Sequence, residues 1–176
     1  DIDGNSYIEG MSGLWCASLG FNENELVEAA ISQMRKLPYY HSFTGKTCES
    51  TINLSEKLIE IAPNNLKKIF FCNSGSEAND TAIKIVWYYH ASLGNPQKRK
   101  IISRKGSYHG VTLAAASLTA LEYAQKGFSL PLDFAIHTTS PHYFQNSYEN
   151  ESEKDFCNRL VRDLEELIEN EGDENI

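Results

Sequence analysis

Long apolar runs and an excess of basic residues are both missing from this sequence of 176 residues. No stretch approaches the roughly twenty apolar residues that span a bilayer, and no signal peptide opens the chain. The net charge of −8 argues against a nucleic-acid partner, because a surface that binds phosphate backbones needs a surplus of Lys and Arg. We therefore expect a cytoplasmic protein with neither a membrane nor a nucleic acid as its partner.

Paired cysteines are also missing. The four cysteines are scattered and form no C-x-x-C pair: Cys16, Cys48, Cys72 and Cys157. This spacing indicates neither a zinc ribbon nor a redox motif, so we expect reduced thiols that are mostly buried. His137 and His142 lie five residues apart, but no Cys or carboxylate nearby completes a ligand set, and we expect no metal.

The stretch Asn73–Asp80 has the pattern of a strand-to-helix turn. An apolar run over 67–72 has strand length, and apolar residues recur at helical spacing from Ser76 to about Ser92. Ser74 and Glu77 have the S-x-x-E spacing of a capping box, and Gly75 allows a sharp turn. A helix N-terminus presented in this way favours an anion, although a capping box by itself is a common structural feature.

A second strand-to-helix turn follows about one βαβ unit later. Residues 100–104 are typical of a strand, residues 105–110 of a turn, and residues 111–117 of an Ala-rich helix, while a third strand is predicted over 134–138. Right-handed crossover would place both turns at the same carboxyl edge of a parallel sheet, where open α/β sheets bind ligands. The sequence therefore predicts an α/β fold, with a mostly parallel sheet flanked by helices.

The sequence also predicts a hairpin and three further helices outside the two turns. The Asp3-Gly4 pair suggests a hairpin, and helices are predicted to begin at Asn22, to cover 48–62 and to cover about 152–170. An aromatic connector at residues 39–43 suggests a domain junction. Both ends of the chain have the character of internal segments, so we expect a longer polypeptide.

Two phosphate-binding motifs can be excluded at the first turn. Gly75 is not followed by the Gly-Lys-Ser/Thr of a Walker loop, and Ser74-Gly75-Ser76 has one glycine where a dinucleotide fingerprint needs three. A single phosphate fits this turn, and Tyr108 in the second turn is available to stack on an attached aromatic ring. Pyridoxal phosphate matches both features, while sugar phosphates would suit the first turn equally well.

The two turns together resemble the signature pair of class III pyridoxal-phosphate aminotransferases. The likeness rests on Asn73–Lys84 and Gly106–Gly110, and it extends over nearly the whole chain. Gly13-Leu14-Trp15-Cys16 is similar in particular to the omega-amino-acid:pyruvate branch. The resemblance implies a fold type I enzyme, normally a homodimer with active sites at the subunit interface. It places residues 1–42 on the side of the small domain and residues 43–176 in the first part of the large, cofactor-binding domain.

The resemblance also implies roles for individual residues. Gly75 and Ser76 would bind the cofactor phosphate, with Ser74 supporting the turn. Tyr108 would stack on the pyridine ring, and His109 would shape the site beside it. Three aromatic residues would line the substrate pocket: Trp15, Tyr40 and Phe43. Composition alone favours a core position for Trp15.

The family's Schiff-base lysine and the aspartate that pairs with the pyridine nitrogen are expected after Ile176. Neither Lys84 nor Lys105 occupies the family's lysine position, so residues 1–176 are predicted to hold no catalytic residue and to be inactive alone. The full-length protein would move an amino group from an amine or omega-amino acid to a keto acid such as pyruvate. The same motifs would also suit ornithine, GABA or diaminopelargonate aminotransferases, an aminomutase, or a non-catalytic remnant that binds phosphate.

Overall fold

The computed structural model describes residues 1–176 and contains eight helices and two strands. The helices are α1 (Ser12–Trp15), α2 (Asn24–Lys36), α3 (Glu49–Ile61), α4 (Gly75–Ser92), α5 (Leu113–Leu118), α6 (Glu122–Gln125), α7 (Tyr143–Asn146) and α8 (Glu153–Glu171). The strands are β1 (Ile101–Arg104) and β2 (Ala135–Thr138), and a 3-10 turn covers Asp173–Asn175. Two compact units divide the chain, Asp1–Ile69 and Phe70–Ile176. The predicted domain boundary after residue 42 stays a prediction.

The first unit carries α1, α2 and α3, and none of its residues is buried. Helix α3 has the predicted extent, with Cys48 and Ala62 as its two caps. Helix α2 begins later than predicted, because the carboxylate of Glu23, and not the side chain of Asn22, accepts the N–H of Glu25 at 3.2 Å. A longer acidic side chain thus takes over the capping of α2.

The predicted N-terminal hairpin is wrong. Gly4 does close a turn by donating its N–H to the Asp1 carbonyl at 3.1 Å, but neither flank forms a strand. The carboxylate of Asp1 instead accepts the N–H of Asn5 and the hydroxyl of Tyr7. The side chain of Asp1 thus takes up a backbone N–H that a hairpin would have used for pairing across the strands.

The second unit is built on a small parallel sheet. Strands β1 and β2 pair in parallel from Ile101 opposite Ala135 to Arg104 opposite Thr138, in agreement with the predicted parallel sheet. Helix α5 packs on both strands and on α4, and α8 packs on β2. The core consists of buried Ile83, Leu118 and Ala135, with Trp87, Ile101, Ala114 and Phe134 packed around them. This arrangement packs α4 against α5, which in turn packs on both strands.

Residues 67–72 do not form the predicted strand. A strand exists only where a second backbone accepts and donates its hydrogen bonds, and in this chain the only paired strands are β1 and β2. The apolar side chains of this run are correspondingly open, with Phe70 72% exposed and Phe71 43% exposed. The apolar pattern of residues 67–72 was therefore not sufficient to predict that they pair as a strand.

The cysteines are free thiols, but the prediction that most are buried is wrong. Cys16 and Cys157 are exposed, and Cys48 and Cys72 are only half-buried. The buried face of α8 is formed by Phe156 and Leu160, and Cys157 lies on its exposed side. None of the helices combines the length and the apolar character that crossing a membrane requires.

Arg159 on α8 fixes the loop that precedes this helix. Its guanidinium donates two hydrogen bonds to the Glu151 carboxylate, at 2.8 and 2.9 Å, and a third to the Asn146 carbonyl. The same group lies 4.0 Å from the centroid of the Tyr148 ring, within range of a cation–π contact. The hydrogen bonds from Arg159, with the Tyr148 N–H as a further donor, lower the pKa of Glu151 from its ordinary 4.5 to about 2.

This ion pair gives a testable dependence of stability on pH. Because the folded-state pKa of Glu151 is lowered, its contribution is complete above about pH 4.5 and is lost as the pH falls towards about 2. We expect Glu151→Gln to lower the thermal midpoint at pH 7, and the gap to the wild type to close as the pH falls to 2. Glu169→Gln, an exposed change on α8, should leave no gap at either pH. A gap for Glu151→Gln that stays constant with pH would contradict the assignment.

Candidate cofactor-binding site

The first turn, residues 73–76, leads into α4 and has the predicted capping geometry. Ser74 is the N-cap, and its hydroxyl accepts the N–H of Glu77 at 3.2 Å. The carboxylate of Glu77 returns to accept the N–H of Asn73 at 2.9 Å. In a standard capping box this return bond goes to the N-cap residue itself, so here it is displaced by one residue.

The same capping pattern leaves donors free at the tip of α4. The N–H groups of Gly75 and Ser76 have no acceptor within the protein. A Cβ atom added at Gly75 would meet no atom within 4 Å, so the space in front of the turn is open. Gly75 has helical backbone angles, so the backbone does not require glycine at this position. The missing side chain instead keeps the space in front of the N–H groups open. We name these two N–H groups and the Ser76 hydroxyl the phosphate cradle.

The second turn, residues 105–110, meets the first turn directly. The hydroxyl of Ser76 accepts the N–H of Val111 at 3.0 Å, and its own proton has no protein acceptor. Gly110 is buried with φ +129°, and a Cβ there would lie 2.4 Å from Ser76 Oγ and 3.0 Å from Ser76 Cα. Glycine at this position is therefore what allows the two turns to touch. The two turns therefore meet, although the first one does not follow a strand of the sheet as predicted.

Three further residues hold the second turn and the start of α5 in place by hydrogen bonds, and the sequence patterns gave none of them a role. Asn79 donates its amide to the His109 carbonyl at 2.7 Å, and Asp80 accepts from the segment that starts α5. Fully buried Thr119 accepts the N–H of His109 at 2.8 Å and donates to the carbonyl of Gly110 at 3.1 Å. The spacing of Asn79 and Asp80, three and four residues after Ser76, puts both on one helix face with Ser76, and that signal was present in the sequence.

In contrast to these hydrogen-bonded residues, Tyr108 has an exposed side chain without a hydrogen bond or an aromatic partner. The ring is 60% exposed, stacks on no other aromatic ring and makes no hydrogen bond through its hydroxyl. His109 beside it is half-buried and held through its backbone at both N–H and carbonyl. An exposed aromatic side chain in a turn that contacts the helix end with free N–H donors suits a planar ring that carries one phosphate. The arrangement therefore fits pyridoxal phosphate.

The three aromatic residues predicted to line a substrate pocket lie in the first unit. Trp15 and Phe43 are largely exposed, at 77% and 74%, and Tyr40 stacks on His41 with ring centroids 4.6 Å apart. Trp15 ends α1, in which Gly13 and Leu14 have left-handed backbone angles near φ +60°. Their role in substrate binding stays a prediction. No cluster of three or more His, Cys, Asp or Glu side chains is arranged to hold a metal ion.

The fold and the paired turns place free N–H donors at the N-terminus of a helix, an arrangement that suits a phosphate group. Residues 1–175 match the family described as aminotransferase class-III, and the chain belongs to that family. This family uses pyridoxal phosphate as its cofactor. The fold is accordingly that of fold type I pyridoxal-phosphate transferases, in which this chain forms a part.

Individual relatives agree with this assignment. Gamma-aminobutyrate transaminase 1, mitochondrial, of Oryza sativa subsp. japonica is 47% identical over 177 residues, which cover 100% of this chain and 34% of that protein. An omega transaminase from Pseudomonas jessenii, solved in complex with PMP, is 50% identical with a TM-score of 0.95, over 99% of this chain and 38% of that one. A structure described as a transaminase with L-ala is 49% identical with a TM-score of 0.97, over 100% and 42% of the two chains. The chain thus spans about two-fifths or less of the curated relatives' length.

Proposed function

We propose that the complete protein is a pyridoxal-phosphate-dependent aminotransferase that moves an amino group from an amine or omega-amino acid to a keto acid such as pyruvate. The hydrogen bond between Ser76 Oγ and the N–H of Val111 carries this proposal, because it joins the tip of α4, which has the free donors, to the turn that carries the exposed Tyr108. Family membership supports the reaction class.

Each residue of the site has a proposed task. The N–H groups of Gly75 and Ser76 and the hydroxyl of Ser76 hold the phosphate, and Ser74 keeps the turn in shape. Tyr108 stacks on the ring, and His109 shapes the site beside it. When bound, the cofactor supplies a conjugated ring that withdraws electrons from the donor carbon and carries the amino group between substrates. Residues 1–176 anchor and orient the cofactor, and we place the lysine that moves the proton beyond Ile176.

The proposed substrates rest on two of the similar proteins. A neighbour is described with L-alanine, which is the aminated form of pyruvate, and another is described as an omega transaminase. We propose that Trp15, Tyr40 and Phe43 line the pocket for the amine. GABA aminotransferase is the second candidate, because a rice relative of similar identity carries that name. The remaining alternatives are an ornithine or diaminopelargonate aminotransferase, an aminomutase, and a protein that binds the cofactor without catalysis.

A homodimer is part of the proposal. The resemblance to this family motivates it, and Val111 and Leu113, next to the second turn, are 75% and 67% exposed. Contact with a second subunit would cover these side chains. The predicted cytoplasmic location stays a prediction.

An activity panel on the complete protein tests the proposed function. The purified protein is expected to show the visible absorbance of bound pyridoxal phosphate and to form alanine from pyruvate with at least one amine or omega-amino acid. Activity with GABA alone would favour the second candidate. A folded protein that binds the cofactor but transfers no amino group, whatever the donor and acceptor, would favour a non-catalytic role.

Tyr108→Ala tests the stacking role. We expect the dissociation constant of pyridoxal phosphate to rise about tenfold, since an aromatic stack contributes about 0.5–1.5 kcal/mol beyond its buried area. Tyr108→Phe keeps the ring and should bind almost as the wild type does. Tyr88→Ala removes another exposed tyrosine from the same unit and serves as the control. Equal affinities for Tyr108→Ala and the wild type, measured by titration of the apoprotein, would contradict stacking.

A further inference from the structure

Asp80 connects two helices at a point where α5 lacks a cap of its own. Thr112 is the N-cap residue of α5, yet its side chain makes no capping hydrogen bond. The Oδ1 atom of Asp80, projecting from α4, accepts both the hydroxyl of Thr112 at 2.7 Å and the N–H of Ala115 at 3.0 Å. Ala115 is fully buried, and Asp80 is the only acceptor of its N–H in the structure. Asp80 therefore caps α5 from a different helix.

Three side chains of α4 act on one continuous segment. Ser76 accepts the N–H of Val111, Asn79 donates to the carbonyl of His109, and Asp80 holds the next stretch, up to Ala115. These contacts are spaced along the backbone that immediately follows Tyr108. The Tyr108 side chain is 60% exposed and stacks on no other aromatic ring, so the backbone that carries it has a large part in setting its position.

From this geometry we propose that Asp80, assisted by Asn79, is a positioning residue that fixes the Tyr108 ring and the Ser76 hydroxyl relative to each other. This inference rests on the proposed function, because it assigns the two fixed groups to the ring and the phosphate of one cofactor. Asp80 does not contact the cofactor in this scheme. Asp80 restricts the conformations of the second turn in the apoprotein. Less conformational entropy is therefore lost when the cofactor binds.

The single variants separate positioning from general stability. In the complete protein, we expect Asp80→Ala to raise the dissociation constant of pyridoxal phosphate about tenfold and to weaken the visible circular dichroism of the bound cofactor. Asp80→Asn keeps an oxygen at the same place and should recover most of the affinity, whereas Asn79→Ala, which loses one hydrogen bond, should show a smaller effect. Ser152→Ala removes the cap of α8 and is the control for lost helix capping without contact to either turn.

Two further measurements make the test independent of activity. In the apoprotein, amide hydrogen exchange at residues 109–116 should be faster in Asp80→Ala than in the wild type and unchanged in Ser152→Ala. Combining Asp80→Ala with Tyr108→Ala should raise the dissociation constant by less than the product of the two single effects, because both act through the same ring.

The outcomes are distinguishable. A wild-type protein that binds no pyridoxal phosphate would overturn the proposed function and this inference together. If the wild type binds, but the Asp80 variants match it in affinity and dichroism, or the double variant shows the full product, the positioning role alone is overturned. Should Asp80→Ala not fold, Asp80→Asn and Asn79→Ala decide the question through the same affinity and exchange measurements.

Discussion

Replacing Gly110 with alanine is expected to separate the two turns and to abolish stable cofactor binding. The added Cβ would lie 2.4 Å from Ser76 Oγ, 2.9 Å from Ala115 Cβ and 3.0 Å from Ser76 Cα. Rotating the Ser76 side chain relieves the first contact, but the other two require the backbone of α4 or the start of α5 to move. We expect a loss of about 2–5 kcal/mol in stability, from overpacking together with an unfavourable φ for a residue with a side chain.

Gly106 provides the matched control for Gly110. It lies in the same turn and also has a positive φ, +77°, but a Cβ there would meet nothing within 4 Å. Gly106→Ala therefore reports backbone strain without the steric clash, and we expect it to cost about 1 kcal/mol and to retain the cofactor. Denaturant unfolding and cofactor absorbance measure both variants. If the two substitutions are equally harmful, close packing of the turns is not the reason for glycine at position 110.

Replacing Gly75 with leucine is expected to give the opposite combination, a folded protein without cofactor. No atom lies within 4 Å of a Cβ at position 75, and the backbone there is helical, so the side chain creates neither clash nor strain. Leucine is also a better helix former than glycine by up to about 1 kcal/mol, which should leave the apoprotein at least as stable. The side chain would instead fill the space in front of the free N–H groups of the phosphate cradle.

For Gly75→Leu we expect at least a hundredfold loss of affinity for pyridoxal phosphate, because the phosphate loses access to donors that have no substitute in the protein. Gly75→Ala is the control, with a single methyl group that should weaken binding much less. The thermal midpoint of the apoprotein and the visible absorbance after cofactor addition are measured together. A normal cofactor spectrum in Gly75→Leu would show that the phosphate is not bound at this turn.

Local patterns predicted the helices best. The ends of α3 and α8 agree with the sequence within one residue, because capping residues and apolar periodicity act over only a few positions. The strands β1 and β2 were also predicted from the sequence, together with a mostly parallel sheet, and their parallel pairing agrees with it. The signature motifs were sufficient to identify the family.

Other features depended on partners that local patterns do not specify. Residues 67–72 have the composition of a strand and remain unpaired, and Asp3-Gly4 forms a turn without a hairpin. In both cases a strand requires hydrogen bonds from a second backbone, and the sequence of one segment contains no information about whether that backbone is available. The capping of α2 by Glu23 was missed because two adjacent polar residues competed for one N–H.

The sequence by itself determined the longer helices α3, α4 and α8, the two turns and the family, because each depends on residues that are close together in the chain or on a recognisable motif. Only the tertiary structure showed that Gly110 is needed for contact with Ser76, and that Asp80 caps a helix more than thirty residues away. These relations depend on distances of a few ångströms between separate elements. Such distances are set by the packing of α4, α5 and the sheet around a shared core, which no single stretch of sequence encodes.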